Sequence, residues 1–272
     1  MRICLKLCAL IVGFSVGFAC AAEKVGDIDS GLAAWNAVRA SIGVPPVKRD
    51  PKIEEMANKH IEYMKAVKQL THSEDKSNPK YTPEGAKAGM NSCLGQGYND
   101  PTAAILSQLT CFLHRIPLIS PELESVSFCV DGGFSAFDYR DGAPRKFDWK
   151  GPIAYPADNC TDFLAGWSGR EGPCPIPGEV PKGGVGQPVT LTFAPHLKVK
   201  DGKIAITDAA NTEIDGWVSA PDKPAVAMFG DNLQTICFIA KQPFKHKTQY
   251  TVKATATVNG QPFEKTWKFT TK

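Results

Sequence analysis

Two histidines stand in settings where an imidazole can do chemistry: His72 in "LTHSED" and His114 in "CFLHRIP". An imidazole titrates near neutral pH, so it serves as a general base, a proton carrier or a metal ligand. His72 shares its loop with Glu74, Asp75 and Glu84, and Asn91 closes the same stretch. A loop carboxylate within reach of either imidazole would make a His/acid hydrolytic pair, with His72, His114 and Glu84 as the catalytic candidates. A divalent metal such as zinc would take His72 and His114 as ligands. Zinc sites usually supply three or four protein ligands, however, and neither HExxH nor another compact metal spacing is present. His72, Glu74, Glu84, Asn91 and His114 are thus the candidates for a polar ligand site, with no cofactor required.

Other nucleophiles have weaker support. "GWSGR" around Ser168 lacks the strand-then-helix setting of a nucleophile elbow and reads as a turn. Ser92 and Ser107 have no orienting carboxylate that the sequence places beside them. His60 lies on the apolar face of a helix and reads as core, while His196 and His246 sit in polar loops and read as solvated.

The elements that must position these residues are legible in part. Leu32, Trp35, Val38 and Ile42 recur at helical spacing until Gly43 and Pro45-Pro46. Asp50-Pro51 opens a second helix and Asp100-Pro101 a third, each a cap followed by proline at the first position. The third helix carries no charge from Thr102 to Leu113 and is expected to end at His114, where the helix dipole favours a positive imidazole. Val126, Phe128 and Val130 then alternate as a strand, and "FSAFDY" follows Gly132-Gly133 as its hairpin partner. Helices packed on a short antiparallel sheet are the expected arrangement.

The chain has 272 residues and a formal charge of +3. Its start has the layout of a secretory signal peptide: basic Arg2 and Lys6, an apolar run from Leu7 to Phe18, and small residues to Ala22. A lipid anchor on Cys20 is the alternative. Removing residues 1–22 lowers the charge to +1, which excludes a nucleic-acid partner built on a basic surplus. No later stretch is apolar enough for a transmembrane segment.

Six cysteines then remain, an even count that suggests disulfides in an exported protein. Cys160 and Cys174 bracket a Gly/Pro-rich loop and are the expected pair. Cys93 and Cys111 are expected to bridge each other or Cys129, and Cys237 reads as a buried thiol. "CPIPGEVPKGGVGQP" (174–188) reads as a linker, and beyond it seven β-like runs suit an antiparallel sandwich.

Several segments resemble a known family. "WNAVRASIGVPPVKRDPKIEEMANKHIEYM" is similar to the opening of a CAP domain (cysteine-rich secretory protein, antigen 5, pathogenesis-related 1). "LTHSED" resembles that family's first cavity-histidine segment, and "FLHRIPLISPELESVSFCV" resembles the corresponding segment of its bacterial branch. "PFKHKTQYTVKATATVNG" is similar to the tyrosine-corner approach of Ig-like and fibronectin-III-like modules, with Tyr250 at the corner.

The resemblance implies an α+β chain, a CAP-type α-β-α sandwich followed by an all-β Ig-like sandwich. The implied divisions are a signal peptide at 1–22, a CAP domain at 28–142, an extension and linker at 143–186, and the Ig-like sandwich at 187–272. It implies export to the medium, periplasm or cell envelope. It also implies a cavity of two histidines and two acids able to hold a divalent metal, and in parts of the family a lipid or sterol ligand. His72 and His114 match the histidines. The acids do not carry over: Met90 in "AGMNS" stands where one glutamate falls, and "AAILSQLTCFL" has no carboxylate. A non-enzymatic binding protein is the leading expectation; a metal-assisted or His/acid hydrolase and a cell-envelope adhesion protein are the alternatives.

Overall fold

The computed structural model describes residues 27–230 and 232–272. The expected signal peptide and Cys20 lie outside these residues.

Local chemistry sets the helix starts. In α1 (Ile28–Ser41) the Asp27 carboxylate accepts from the Ser30 amide. Asp50 caps α2 (Pro51–Val67), Thr82 caps α3 (Pro83–Asn91) and Asp100 caps α4 (Pro101–Thr110), each followed by proline. Proline suits that position because its missing N–H would have no partner there anyway. The sequence reading missed α3, taking residues 70–92 as one loop.

A three-stranded antiparallel sheet lies between these helices, in the order β2 (Ser92–Gln96), β5 (Phe134–Asp138), β4 (Cys129–Asp131). The expected hairpin joins β4 to β5 through Gly132-Gly133, both at positive φ. Alternate sheet residues point to opposite faces. Cys93 and Phe137 pack with Trp35 of α1 and Leu109 of α4, while Leu94 and Ala136 pack with Ile61 and Met64 of α2. Helices therefore cover both faces, in three layers. A short parallel pair, β1 (Lys48–Arg49) with β3 (Ser125–Val126), ties the loop after α1 to the segment before β4.

Asn36 and Arg39, part of the resemblance to the CAP opening, are structural fasteners. Asn36 exchanges two hydrogen bonds with the Val47 backbone. Arg39 is fully buried and donates to the carbonyls of Pro45, Leu118 and Ser120.

The C-terminal part is all-β. One four-stranded sheet runs β10 (Gly216–Ser219), β11 (Thr235–Ala240), β8 (Val189–Thr192), β6 (Ile153–Tyr155). The other runs β7 (Cys160–Phe163), β13 (Gln261–Thr271), β12 (Gln249–Val258), β9 (Val199–Asp208). Leu191, Ile206, Ile236, Val252, Trp267 and Phe269 fill the space between them. Tyr250 is buried there, and its hydroxyl accepts from the Lys245 amide at 2.8 Å. The run "AVAMF" (225–229) is a loop and not a strand. β6 and β7 come from the stretch read as extension, so residues 153–163 contribute an edge strand to each sheet.

Between the two parts lies a further apolar cluster. Phe112, Leu113 and Ile116 pack with Trp167, Ile176 and Val185 and with Cys237 and Ile239 of β11. The stretch 174–188, read from sequence as a linker, contributes Ile176 and Val185 to this joint. No helix of the described residues is long and apolar enough to cross a membrane.

Candidate functional site

The uncharged helix expected to run to Leu113 ends at Thr110. Cys111 is extended (φ −75°, ψ 158°) and a new helix, α5 (Phe112–Leu118), starts after it. His114 therefore sits in the first turn of α5 and not at the C-terminal end of the preceding helix. The dipole there favours an anion, and Glu171 supplies it. One Glu171 oxygen accepts from the Phe112 amide at 3.0 Å; the other accepts from the His114 amide at 2.9 Å and lies 2.7 Å from His114 Nδ1. The Glu171 carboxylate is fully buried and the His114 ring is 17% exposed. A carboxylate oxygen facing a ring nitrogen accepts, so Nδ1 is the donor in this contact.

The other predicted residues are drawn to separate partners. His72 is exposed, and its Nδ1 lies 2.7 Å from the carbonyl oxygen of Gly89 at the end of α3. Glu74 is turned inward: its Oε1 lies 2.9 Å from Nδ1 of His60, both side chains are fully buried, and its Oε2 accepts from the Thr82 amide. His60 Nε2 completes its bonding at the Thr71 carbonyl, 2.7 Å away. Glu84 is half exposed and faces Lys59 at 3.7 Å. Asn91 donates to Asp141 at 3.0 Å. Among the described residues no hydrogen bond or ion pair joins His72 to His114.

A pair of acids beside Asn91 went unnoticed in the sequence. Asp138 is buried at the end of β5; its Oδ1 accepts from the amides of Arg140 and Asp141, while Oδ2 is buried with no hydrogen-bond partner. Burial pushes its pKa up to about 6. Burial opposes ionisation of Asp141 too, but Lys87 at 2.7 Å and Asn91 hold that carboxyl below the usual range.

The nucleophile candidates are spent. Ser92 Oγ donates to the Ala88 carbonyl and Ser107 Oγ to that of Ala104. All six cysteines among the described residues are free thiols, so neither Cys160–Cys174 nor Cys93–Cys111 is bridged. Cys160 faces Asp162 and Cys174 faces the carbonyls of Gly169 and Ile176, which separates the first pair. Cys93 lies against the His114 carbonyl and Cys111 against that of Ser107. Burial, reinforced by the Glu171 charge, pushes the Cys111 thiol up to about 12 and Cys93 well above its ordinary value. Neither is a thiolate at neutral pH.

The donor set does not fit the family's divalent metal. Met90, at the position where the resemblance implies one acid, is 57% exposed, α4 carries no acid, and Glu74 is committed to His60. Cys111, His114 and Glu171 do place three donor atoms within 4.8 Å of one another. Glu171, however, already accepts from three N–H groups, and the thiol is held protonated.

Glu171 is the residue that sequence reasoning missed, because it lies 57 positions beyond His114. The available signal was that Glu171 is the only acid between Phe163 and Gly178.

With this geometry in view, residues 32–136 match the model of CAP, the cysteine-rich secretory protein family. The match supports assigning that segment to the CAP superfamily, and the three-layer arrangement of helices and sheet agrees with it. No curated protein matches the chain.

Proposed function

We propose that this chain is an exported CAP-domain protein of bacterial type with an Ig-like module, acting as a non-enzymatic binding protein on the face of His72 and His114. The observation that carries the reading is at the end of α3. Met90 is 57% exposed and follows Gly89, whose carbonyl holds the His72 ring. A thioether thus stands where the resemblance places an acid, one residue from the carbonyl that holds the His72 ring, and Leu70, two residues before His72, is 41% exposed. Apolar side chains beside one polar group suit a small hydrophobic ligand, a lipid or sterol, or an apolar cell-surface component. The commitment of Ser92, Ser107, Cys93 and Cys111 to backbone carbonyls supports binding over catalysis.

The test is saturation binding of a fluorescent sterol and a fluorescent fatty acid to the mature chain, to Met90→Glu and to His72→Ala/His114→Ala. Micromolar binding that each variant weakens about tenfold, a loss of about 1.4 kcal/mol, is expected. Equal binding by all three proteins refutes the reading.

A His/acid hydrolase is the second reading, favoured by Glu171 beside His114. With Nδ1 turned to Glu171, Nε2 is the ring nitrogen left to take a proton from a water or substrate, as a general base does. Ester or peptide turnover that Glu171→Gln abolishes would select it.

A further inference from the structure

Glycine-rich backbone shapes a concavity in the segments that precede Glu171 and Val185. Trp167 and Val185 exchange both backbone hydrogen bonds, at 2.7 and 2.9 Å, and the Gly184 amide closes a turn onto the Pro181 carbonyl. Gly184 has φ +76°, and a Cβ on it would lie 2.8 Å from the Trp167 carbonyl oxygen. Only glycine suits that position. The concavity is open to solvent, measures about 430 Å³ and is lined by Trp167, Ser168, Arg170, Pro181, Lys182 and the adjoining glycines. That volume lies within the range of small-molecule sites, about 300–1,000 Å³.

The lining is one-sided in charge. Arg170 and Lys182 contribute two cations, and no carboxylate lines the cavity. Among the described residues neither cation is in an ion pair; Glu171, next to Arg170, is buried on His114. The backbone N–H groups of Ser168, Lys182 and Gly183 donate to no acceptor among the described residues. Two unpaired cations lining one concavity, with three amides of the same lining residues left open, suit a tetrahedral oxyanion, which takes several charge-assisted hydrogen bonds at once. The planar guanidinium adds a two-pronged donor for such a group.

We propose that this cavity binds a phosphate or sulfate monoester, with the oxyanion between Arg170, Lys182 and the open amides, and the esterified group alongside Trp167. The ester is carried by a soluble small molecule or by a lipid headgroup, and the experiment separates these sources. Calorimetric titration uses inorganic phosphate and a hexose phosphate. Co-sedimentation uses phosphatidylcholine vesicles with and without phosphatidic acid. Each is run on the full mature chain and on Arg170→Ala/Lys182→Ala, whose side chains are exposed and make no ion pair that folding needs.

Saturable binding that the double variant weakens at least about tenfold, and that added salt weakens too, supports the site. Tighter binding of hexose phosphate than of phosphatidic acid vesicles assigns the soluble ester; the reverse assigns the headgroup. No saturation by any probe up to about 10 mM, or equal binding by the double variant, overturns the proposal.

Discussion

Glu171 Oε1 lies 2.7 Å from His114 Nδ1 and 2.9 Å from the amide nitrogen of the same residue. One buried carboxylate therefore orients the imidazole and caps the helix that carries it. Glu171→Gln removes the charge and turns one acceptor into a donor that faces an N–H. Hydrogen bonds to charged groups contribute about 1.5–3 kcal/mol each, so a loss of about 2 kcal/mol in urea unfolding is expected. The Nδ1–H tautomer preference of His114 should vanish with it in nitrogen-15 spectra.

The fully buried His60–Glu74 pair is a structural bond under the His72 loop. Glu74→Ala leaves the buried His60 ring nitrogen and the Thr82 amide without their partner, and each buried polar group left unsatisfied costs about 1–3 kcal/mol. Gly89→Ala should be of similar severity, because a Cβ there overlaps the His60 ring. Chemical denaturation of both variants checks this, and a cost below about 1 kcal/mol for each would show the pair to be dispensable.

Asp138 gives a pH signature. Its folded value of about 6 lies above its ordinary 3.8, so the fold favours the protonated form. That contribution is complete below about pH 4 and is lost as pH rises through 6. Asp138→Asn keeps a neutral side chain at every pH. It should be more stable than the parent by about 1–2 kcal/mol at pH 7.5, with the difference shrinking toward pH 4 in paired denaturation curves.

Arg115 ties the helical part to the sheets. It is fully buried and donates to the carbonyls of Leu109 (3.2 Å) and Pro188 (2.8 Å), with its guanidinium 4.0 Å from the centre of the Tyr155 ring. With the apolar cluster around Trp167, this joint predicts one cooperative thermal transition for the mature chain. Arg115→Ala should lower stability by about 3 kcal/mol. Two separate calorimetric peaks in the parent protein would contradict the coupling.

Much of the fold was legible because it is encoded locally. Asp50-Pro51 and Asp100-Pro101 mark helix starts by capping chemistry, and Gly132-Gly133 marks a turn that needs positive φ. α3 was missed although Thr82-Pro83 carries the same signal, since its glycines, Gly85 and Gly89, read as loop. Those glycines are required by close approach: their faces meet Glu74 and His60. The site was less legible because its pairings are long-range. Glu171 reaches His114 only after the chain has built β6 and β7, and Glu74 turns inward because buried His60 needs a partner. Neither pairing is encoded by neighbouring residues; for Glu171 the sequence offers only its isolation as an acid between Phe163 and Gly178.

The central claim is that the face of His72 and His114 binds a ligand without metal-assisted catalysis, its acids being committed to structural bonds. Calorimetric titration of zinc at neutral pH into the mature chain and into His72→Ala/His114→Ala tests it most directly. The account predicts no binding tighter than about 10 µM in either protein, as expected where fewer than three free ligands converge. Sub-micromolar zinc binding that the double variant loses would contradict it and place the hydrolase reading first.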